Sequence, residues 1–108
     1  MLWQDASGSV WILGGEGEDS AGSSGYLNDL WMYDPATKMW TWESGADTAN
    51  PPGVYGSLGV QAPANQPGGR QYLSAAQDGS GNVWMFGGEG EDSAGAFGNL
   101  NDLWKFIP

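Results

Sequence analysis

Residues 14–22 read GGEGEDSAG, and residues 87–95 read the same nine letters. The match extends outward, because the pentapeptide LNDLW at 27–31 returns at 100–104. Both pairs are separated by 73 positions, and the counterpart of residues 36–73 is absent. An internal repeat of this kind is typical of proteins built from several copies of one supersecondary unit. So long an identical run indicates a recent duplication or a deliberate construction.

Composition excludes several classes of function. The chain has 108 residues, a formal net charge of −10, no histidine and no cysteine. It allows at most one small domain, and it has no Ser-His-Asp triad, no thiol nucleophile and no His- or Cys-liganded metal site. Three basic residues against 13 acidic ones neutralise few phosphates, so we expect neither a nucleic-acid partner nor an anionic membrane partner. Seven tryptophans indicate a packed rather than a disordered chain.

Short apolar and aromatic runs lie between turn signals, and no window has the 3.6-residue periodicity of a helix. The pattern predicts an all-β protein. The predicted strands lie at 2–4, 10–14, 29–33, 40–43, 70–76, 83–87 and 102–107. Repeated antiparallel four-stranded units joined in series are typical of propeller blades.

The motifs resemble those of Kelch-type β-propellers, in particular bacterial, galactose-oxidase-like Kelch proteins. The matching elements are the Gly-Gly pairs at 14–15 and 87–88, WMYD at 31–34, Trp40 with Trp42, NPPGVYG at 50–56, and Arg70 before the inner strand. This resemblance implies four-stranded antiparallel blades, about two per chain. It also implies an extracellular location, although the first five residues do not read as a signal peptide.

The resemblance divides the chain into three parts. Residues 1–44 are expected to form a first blade with a truncated inner strand, and residues 45–69 a long Pro/Gly-rich connection. Residues 70–108 are expected to form a second blade that lacks its fourth strand. The copper chemistry of galactose oxidase does not carry over, because it needs the histidine and cysteine that this chain lacks. We therefore expect a protein that is not an enzyme.

Fewer than two complete blades cannot close a propeller, so such a chain leaves aromatic faces in water. We expect copies to associate head to tail into a closed ring, as a trimer or a tetramer, and to act as a scaffold or binding module. Two alternatives stay open. One is a secreted glycan-binding or glycan-acting Kelch protein that uses its acidic loops, and the other is a designed or evolved self-assembling propeller. A protein or a glycan is a further candidate partner.

Acidic residues of the repeated loop are the candidate metal ligands. They are Glu16, Glu18 and Asp19, with the copies Glu89, Glu91 and Asp92. Calcium takes its ligands from such oxygen donors, although the spacing does not match an EF-hand. The alternative is a solvated loop, in which Asp29 and Asp102 accept hydrogen bonds from turn N–H groups. Glu16 and Glu18 also have the alternation of a carboxylate pair for glycoside hydrolysis.

Two further residues are candidates for partner binding. Arg70 is one of three basic side chains, and in the Kelch resemblance its position can face a central channel. The alternative for Arg70 is a salt bridge to an acidic loop. Tyr55 is the candidate surface aromatic of the long connection. The tryptophans that recur in register are expected to pack in the core, with stacking on sugars as the alternative.

Overall fold

Eight β-strands and no helix make up the protein in a computed structural model that describes all 108 residues. The strands form two antiparallel sheets of four strands each, one from either half of the chain. The all-β antiparallel architecture predicted from the repeat is therefore confirmed. None of its elements is a helix of the length and apolar character that crossing a membrane requires.

Sheet 1 is a four-stranded meander in chain order. Its strands are β1 (Leu2–Gln4), β2 (Val10–Glu18), β3 (Ser24–Asp34) and β4 (Met39–Ser44). The turn between β1 and β2 closes around a carboxylate, because Asp5 accepts hydrogen bonds from the N–H groups of Ser7 and Ser9 at 3.0 Å each. Such local side-chain acceptors favour a turn over continued strand.

Sheet 2 repeats the pattern with an interrupted inner strand. Its strands are β5 (Arg70–Gln71), β6 (Ser74–Gln77), β7 (Val83–Glu91) and β8 (Phe97–Phe106). Both β5 and β6 pair with one edge of β7, and β8 pairs with the other. The single strand predicted at 70–76 is split because Tyr72 has a φ of 58°, a left-handed conformation that interrupts pairing. No strand pairs with the outer edge of β8.

The Gly-Gly pairs do not end the strands, which corrects the prediction that β2 stops at Gly14 and β3 starts at Asp29. Gly14 and Gly15 have φ values of 57° and 104°, and the register shifts between Leu13 and Gly15. This is a β-bulge, after which pairing resumes from Gly15 opposite Leu27. The four glutamates of the two acidic stretches therefore lie in strands β2 and β7. Only the two aspartates of these stretches, Asp19 and Asp92, lie at turns.

The core lies between the two sheets. Sheet 1 contributes Trp11, Leu13 and Leu30, and sheet 2 contributes Val83 and Met85. Only 14 of the 108 residues are buried, and the accessible surface is 6399 Å². A monomer of this mass usually exposes about 5,800 Å². The chain thus presents more surface than its size requires, and much of it is apolar.

The connection at residues 45–69 contains no strand, only an isolated bridge between Val54 and Gln66. It is tied to sheet 1 by Asn28, whose Nδ2 donates to the Pro67 carbonyl at 2.7 Å and whose Oδ1 accepts from the Ala46 N–H at 2.8 Å. One buried amide therefore fixes both ends of the connection, and the connection carries the chain from sheet 1 to sheet 2.

Candidate functional site

The two aspartates of the repeated acidic stretch bind their own turns. Asp19 accepts hydrogen bonds from the N–H groups of Ala21 and Ser23 at 2.9 Å and of Ala49 at 2.8 Å. These donors, with that of Ala49 first, lower the pKa of the Asp19 carboxyl. Asp92 accepts in the same way from two N–H groups of its turn, at 2.8 and 2.9 Å. Turn N–H groups are therefore bound by Asp19 and Asp92. Asp29 and Asp102, which were expected to bind them, instead accept from the indoles of Trp31 and Trp104 at 2.7 Å each.

The glutamates of the two copies have different surroundings. Glu16 and Glu18 are exposed on sheet 1, whereas Glu91 is only 7% exposed on sheet 2. Nowhere do three His, Cys, Asp or Glu side chains converge as a group that could hold a metal ion. The calcium hypothesis for Glu16, Glu18, Asp19, Glu89, Glu91 and Asp92 stays a prediction without a preformed cluster behind it.

Arg70 is the largest of the fully buried side chains, at 2% exposure. Its Nη1 and Nη2 donate to the two carboxylate oxygens of Asp102 at 2.7 and 2.9 Å, a bidentate ion pair. Its Nε donates to the Gly68 carbonyl at 3.0 Å and its Nη1 also donates to the Gly87 carbonyl at 3.1 Å. The guanidinium is thus held in a salt bridge within the chain, but its partner Asp102 lies in strand β8 and not in an acidic loop, where the salt-bridge alternative placed it.

Tyr55 joins the same cluster. Its hydroxyl donates to Asp102 at 2.6 Å, and its ring centroid lies 5.0 Å from that of Trp104. Burial, and after it the neighbouring Asp102 carboxylate, raises the pKa of Tyr55. Tyr55, which was predicted to be a surface aromatic, therefore also attaches the long connection to sheet 2 through Asp102 and Trp104.

Asp102 is the centre of this cluster, a role that its sequence context does not indicate. It accepts from Arg70, Tyr55 and, at 2.7 Å, the indole N–H of Trp104. One local signal was present in the sequence, since the same Asp-x-Trp spacing at Asp29 gives the same indole hydrogen bond, also at 2.7 Å. The long-range partners carried no comparable signal.

The Asp102 cluster makes stability depend on acid pH. Burial alone would raise the pKa of the Asp102 carboxyl, but hydrogen bonds from Arg70, Tyr55 and Trp104 lower it from 3.8 to about 2. A depressed pKa in the folded state stabilises the fold above the unfolded value of 3.8, and this contribution disappears as the pH falls towards 2. We expect the melting-temperature difference between wild type and Asp102→Asn to shrink over that interval. Thermal melts of both proteins check this, and a constant difference would contradict it.

Sheet 1 carries an open pocket where sheet 2 carries Tyr55. The pocket measures about 360 Å³, and its lining includes Leu27, Asp29, Trp31 and Trp42. Asp29 and Trp31 are the repeat counterparts of Asp102 and Trp104. Neither indole N–H is free, since that of Trp31 donates to Asp29 and that of Trp42 to a backbone carbonyl at 2.9 Å. The pocket therefore offers carboxylates and indole faces.

Apolar side chains also cover the outward faces of both sheets. On sheet 2, Phe86 is 51% and Leu103 62% exposed, and with Trp84 they line a shallow depression of about 250 Å³. Lys105 lies over the Trp84 ring, with its Nζ 5.1 Å from the centroid. On sheet 1 the exposed apolar residues include Leu2, Trp40 and Trp42. Of the four tryptophans that recur in register and were expected in the core, Trp11 is buried, Trp31 and Trp104 are half-buried, and Trp84 is exposed.

Comparison of the chain with protein-family models, with curated proteins and with solved structures finds no match. What can be inferred about function therefore depends on the geometry of the chain itself and on the way its two copies differ.

Proposed function

We propose that the chain is a non-catalytic building block of a propeller-like ring, with Kelch-like blades, that assembles head to tail with copies of itself. One observation carries the proposal: each exposed sheet face is the repeat counterpart of a face that is buried within the chain. The ring would act as a scaffold or binding module. Its cluster of buried charge, centred on Asp102, supports a structural role, because those side chains bind each other.

The outward face of sheet 2 corresponds to the inward face of sheet 1. Shifting by 73 positions converts Trp11, Leu13 and Leu30 into Trp84, Phe86 and Leu103. The first three belong to the buried core, whereas the last three are exposed. Sheet 2 therefore repeats an apolar surface that sheet 1 uses to bind a neighbouring sheet.

The outward face of sheet 1 corresponds to the inward face of sheet 2 in the same way. Four residues of sheet 2 pack in or against the core, and each has an apolar or aromatic counterpart in sheet 1. The counterparts of Val83, Met85, Trp104 and Phe106 are Val10, Ile12, Trp31 and Tyr33. One chain thus presents both halves of the interface that it already forms internally.

Contact between such complementary faces is heterologous, so copies add in one direction until the rotation closes a ring. We expect the interface between copies to repeat the internal one. Trp11 packs on Phe106 with ring centroids 5.7 Å apart, so Trp84 of one copy should pack on Tyr33 of the next. Propellers have about four to eight blades, so two to four two-bladed chains would close a ring, and we expect a trimer with six blades or a tetramer with eight.

Leu103→Asp tests this assembly. The aspartate places a charge in the centre of an apolar interface, where it has no partner, so the ring should dissociate to monomers. Leu58→Asp is the matched control, because Leu58 is fully exposed in the long connection and belongs to neither sheet face. Sedimentation equilibrium should give three or four times the 11.4 kDa chain mass for wild type and for the control, and the chain mass for Leu103→Asp.

Circular dichroism accompanies the mass measurement. Leu103→Asp should keep its β-sheet spectrum, because the side chain is already largely exposed in the single chain. A monodisperse wild-type monomer at high concentration, or equal masses for the two variants, would overturn the proposal.

A further inference from the structure

The two copies of the acidic hairpin have the same sequence but are covered differently. On sheet 2, the Glu91 N–H donates to the Gly69 carbonyl at 2.8 Å, and the Gly53 N–H donates to the Asp92 carbonyl at 3.1 Å. The connection and β5 therefore lie across this copy and bury it. On sheet 1 the connection contacts the turn of the hairpin, where the Ala49 N–H donates to the Asp19 carboxylate at 2.8 Å and the Ser20 N–H donates to the Asp47 carbonyl at 3.1 Å. No backbone bond from the connection reaches Glu18.

The inner edge of β2 is open at residues 15–18, past the first residue of β1. Pairing of β1 with β2 reaches Leu2 opposite Ile12, and only backbone bonds between Met1 and Leu13 follow. No strand pairs with residues 15–18 on that side. In sheet 2 the corresponding edge of β7 is occupied by β5, with Arg70 opposite Gly90.

The glycines of this edge leave room that the chain does not fill. A Cβ at Gly88 would lie 2.5 Å from the Gln71 carbonyl oxygen, and one at Gly90 would overlap the Gly69 carbonyl oxygen. At their counterparts in sheet 1, a Cβ on Gly15 would meet nothing within 4 Å, and one on Gly17 only the Leu27 Cδ1 at 3.4 Å. Sheet 1 thus has, next to Gly15 and Gly17, the space that β5 fills in sheet 2, and no strand lies in that space.

The acidic group beside that edge also lacks the cation that its counterpart binds. Asp102 holds Arg70 in the only salt bridge of the chain. Its counterpart Asp29 has one side-chain partner, the Trp31 indole, and lines the open pocket. The Tyr55 ring and hydroxyl that complete the cluster in sheet 2 have no equivalent here.

We propose that sheet 1 carries a docking slot for a polypeptide segment, formed by the β2 edge at residues 15–18 together with Asp29 and Trp31. The occupant has the chemistry of the segment at 53–71: a Gly-Gly-Arg strand preceded by an aromatic residue in a Pro/Gly-rich loop. The Gly-Gly-Arg part adds to the open edge as a short strand. Its guanidinium pairs with Asp29, and its aromatic ring occupies the pocket on Trp31.

The slot adjoins the ring contacts proposed above and shares only Trp31 with them. The segment at 53–71 is used on sheet 2 of its own chain, so a ring built from these residues leaves the slot available. The occupant is therefore a second polypeptide segment of the same chemistry. The two proposals can fail independently, because binding can be measured on the Leu103→Asp monomer.

A synthetic peptide with the sequence of residues 50–73 is the probe. Fluorescence anisotropy of the labelled peptide should rise saturably with Leu103→Asp and with wild-type protein. A peptide in which the arginine corresponding to Arg70 is alanine should bind about tenfold or more weakly, because it loses a bidentate charge-assisted contact. Residues 50–73 of the protein itself do not compete with the peptide for the slot, since β5 is paired with β7 in sheet 2.

Protein variants locate the binding. Gly17→Ala places a methyl group where the added strand must approach and should weaken binding about tenfold or more. Gly98→Ala is the control, because a Cβ there meets nothing within 4 Å and the residue lies on β8, away from the slot. Asp29→Asn keeps an acceptor for the Trp31 indole and removes the charge, so it should weaken the arginine peptide more than the alanine peptide. Absence of saturation at about 1 mM peptide, or equal binding by Gly17→Ala, would overturn the proposal.

Discussion

Arg70→Met should lower the free energy of unfolding by about 3–5 kcal/mol, because removing one partner leaves an uncompensated buried charge on the other. Arg70 is 2% exposed and the Asp102 side chain 15%. The substitution also leaves the Gly68 and Gly87 carbonyls without the donors they now have. For a chain of this size each kcal/mol corresponds to about 4–8 °C in Tm. Urea unfolding and thermal melts would measure the loss.

The repeat supplies a matched control for that variant. Asp29→Asn changes the counterpart of Asp102, which has an indole partner but no arginine, so its effect should stay below about 1 kcal/mol. Asp102→Asn should be several times more destabilising. The double variant Arg70→Met/Asp102→Asn should be less destabilised than the sum of the single variants, because it leaves no lone charge. Additive effects, or a loss below about 1 kcal/mol for Arg70→Met, would show that the pair does not support the fold.

The fold class was predictable from local features of the sequence. An aspartate followed a few residues later by a glycine predicts a turn from local sequence alone, without information on tertiary contacts. Asp5 is an example, since its carboxylate accepts the N–H groups that close the first turn. The repeat then requires that both halves adopt one pattern. Strand ends at the Gly-Gly pairs were not predictable in this way, because glycine is typical both of turns and of bulges. Only pairing across the sheet decides that Gly14 lies in a bulge.

The cluster at Asp102 could be predicted only in part. Its indole hydrogen bond is local in sequence, but Tyr55 and Arg70 reach it along a connection whose path depends on tertiary packing. Identical letters also have different surroundings in the two copies: Glu18 is exposed and Glu91 is buried. What differs is not the hairpin but the segment that crosses it, and no property of the hairpin sequence contains that information.

Gly90→Ala should destabilise the chain by about 3 kcal/mol, at the upper end for inserting a methyl group into a packed site. Its Cβ would overlap the Gly69 carbonyl oxygen and lie 2.7 Å from the Cα and Cβ of Arg70. Relief requires β5 to move away from β7, which breaks the 2.8 Å bond from the Glu91 N–H to Gly69. The same movement displaces the guanidinium from Asp102. Chemical unfolding would measure the change, and β5 should lose protection against hydrogen exchange first.

Gly17→Ala makes the same substitution at the counterpart position and should act in the opposite direction. A Cβ there meets only the Leu27 Cδ1 at 3.4 Å, and neither glycine has a positive φ. Replacing glycine in a strand interior by alanine then removes an entropic cost of roughly 0.5–1 kcal/mol, so the chain should become slightly more stable. A stability change of opposite sign for Gly90→Ala and Gly17→Ala, two substitutions at the same position of the repeated nonapeptide, would identify β5, which covers only the second copy, as the cause. Equal effects would mean that β5 does not approach β7 as closely as the structure places it.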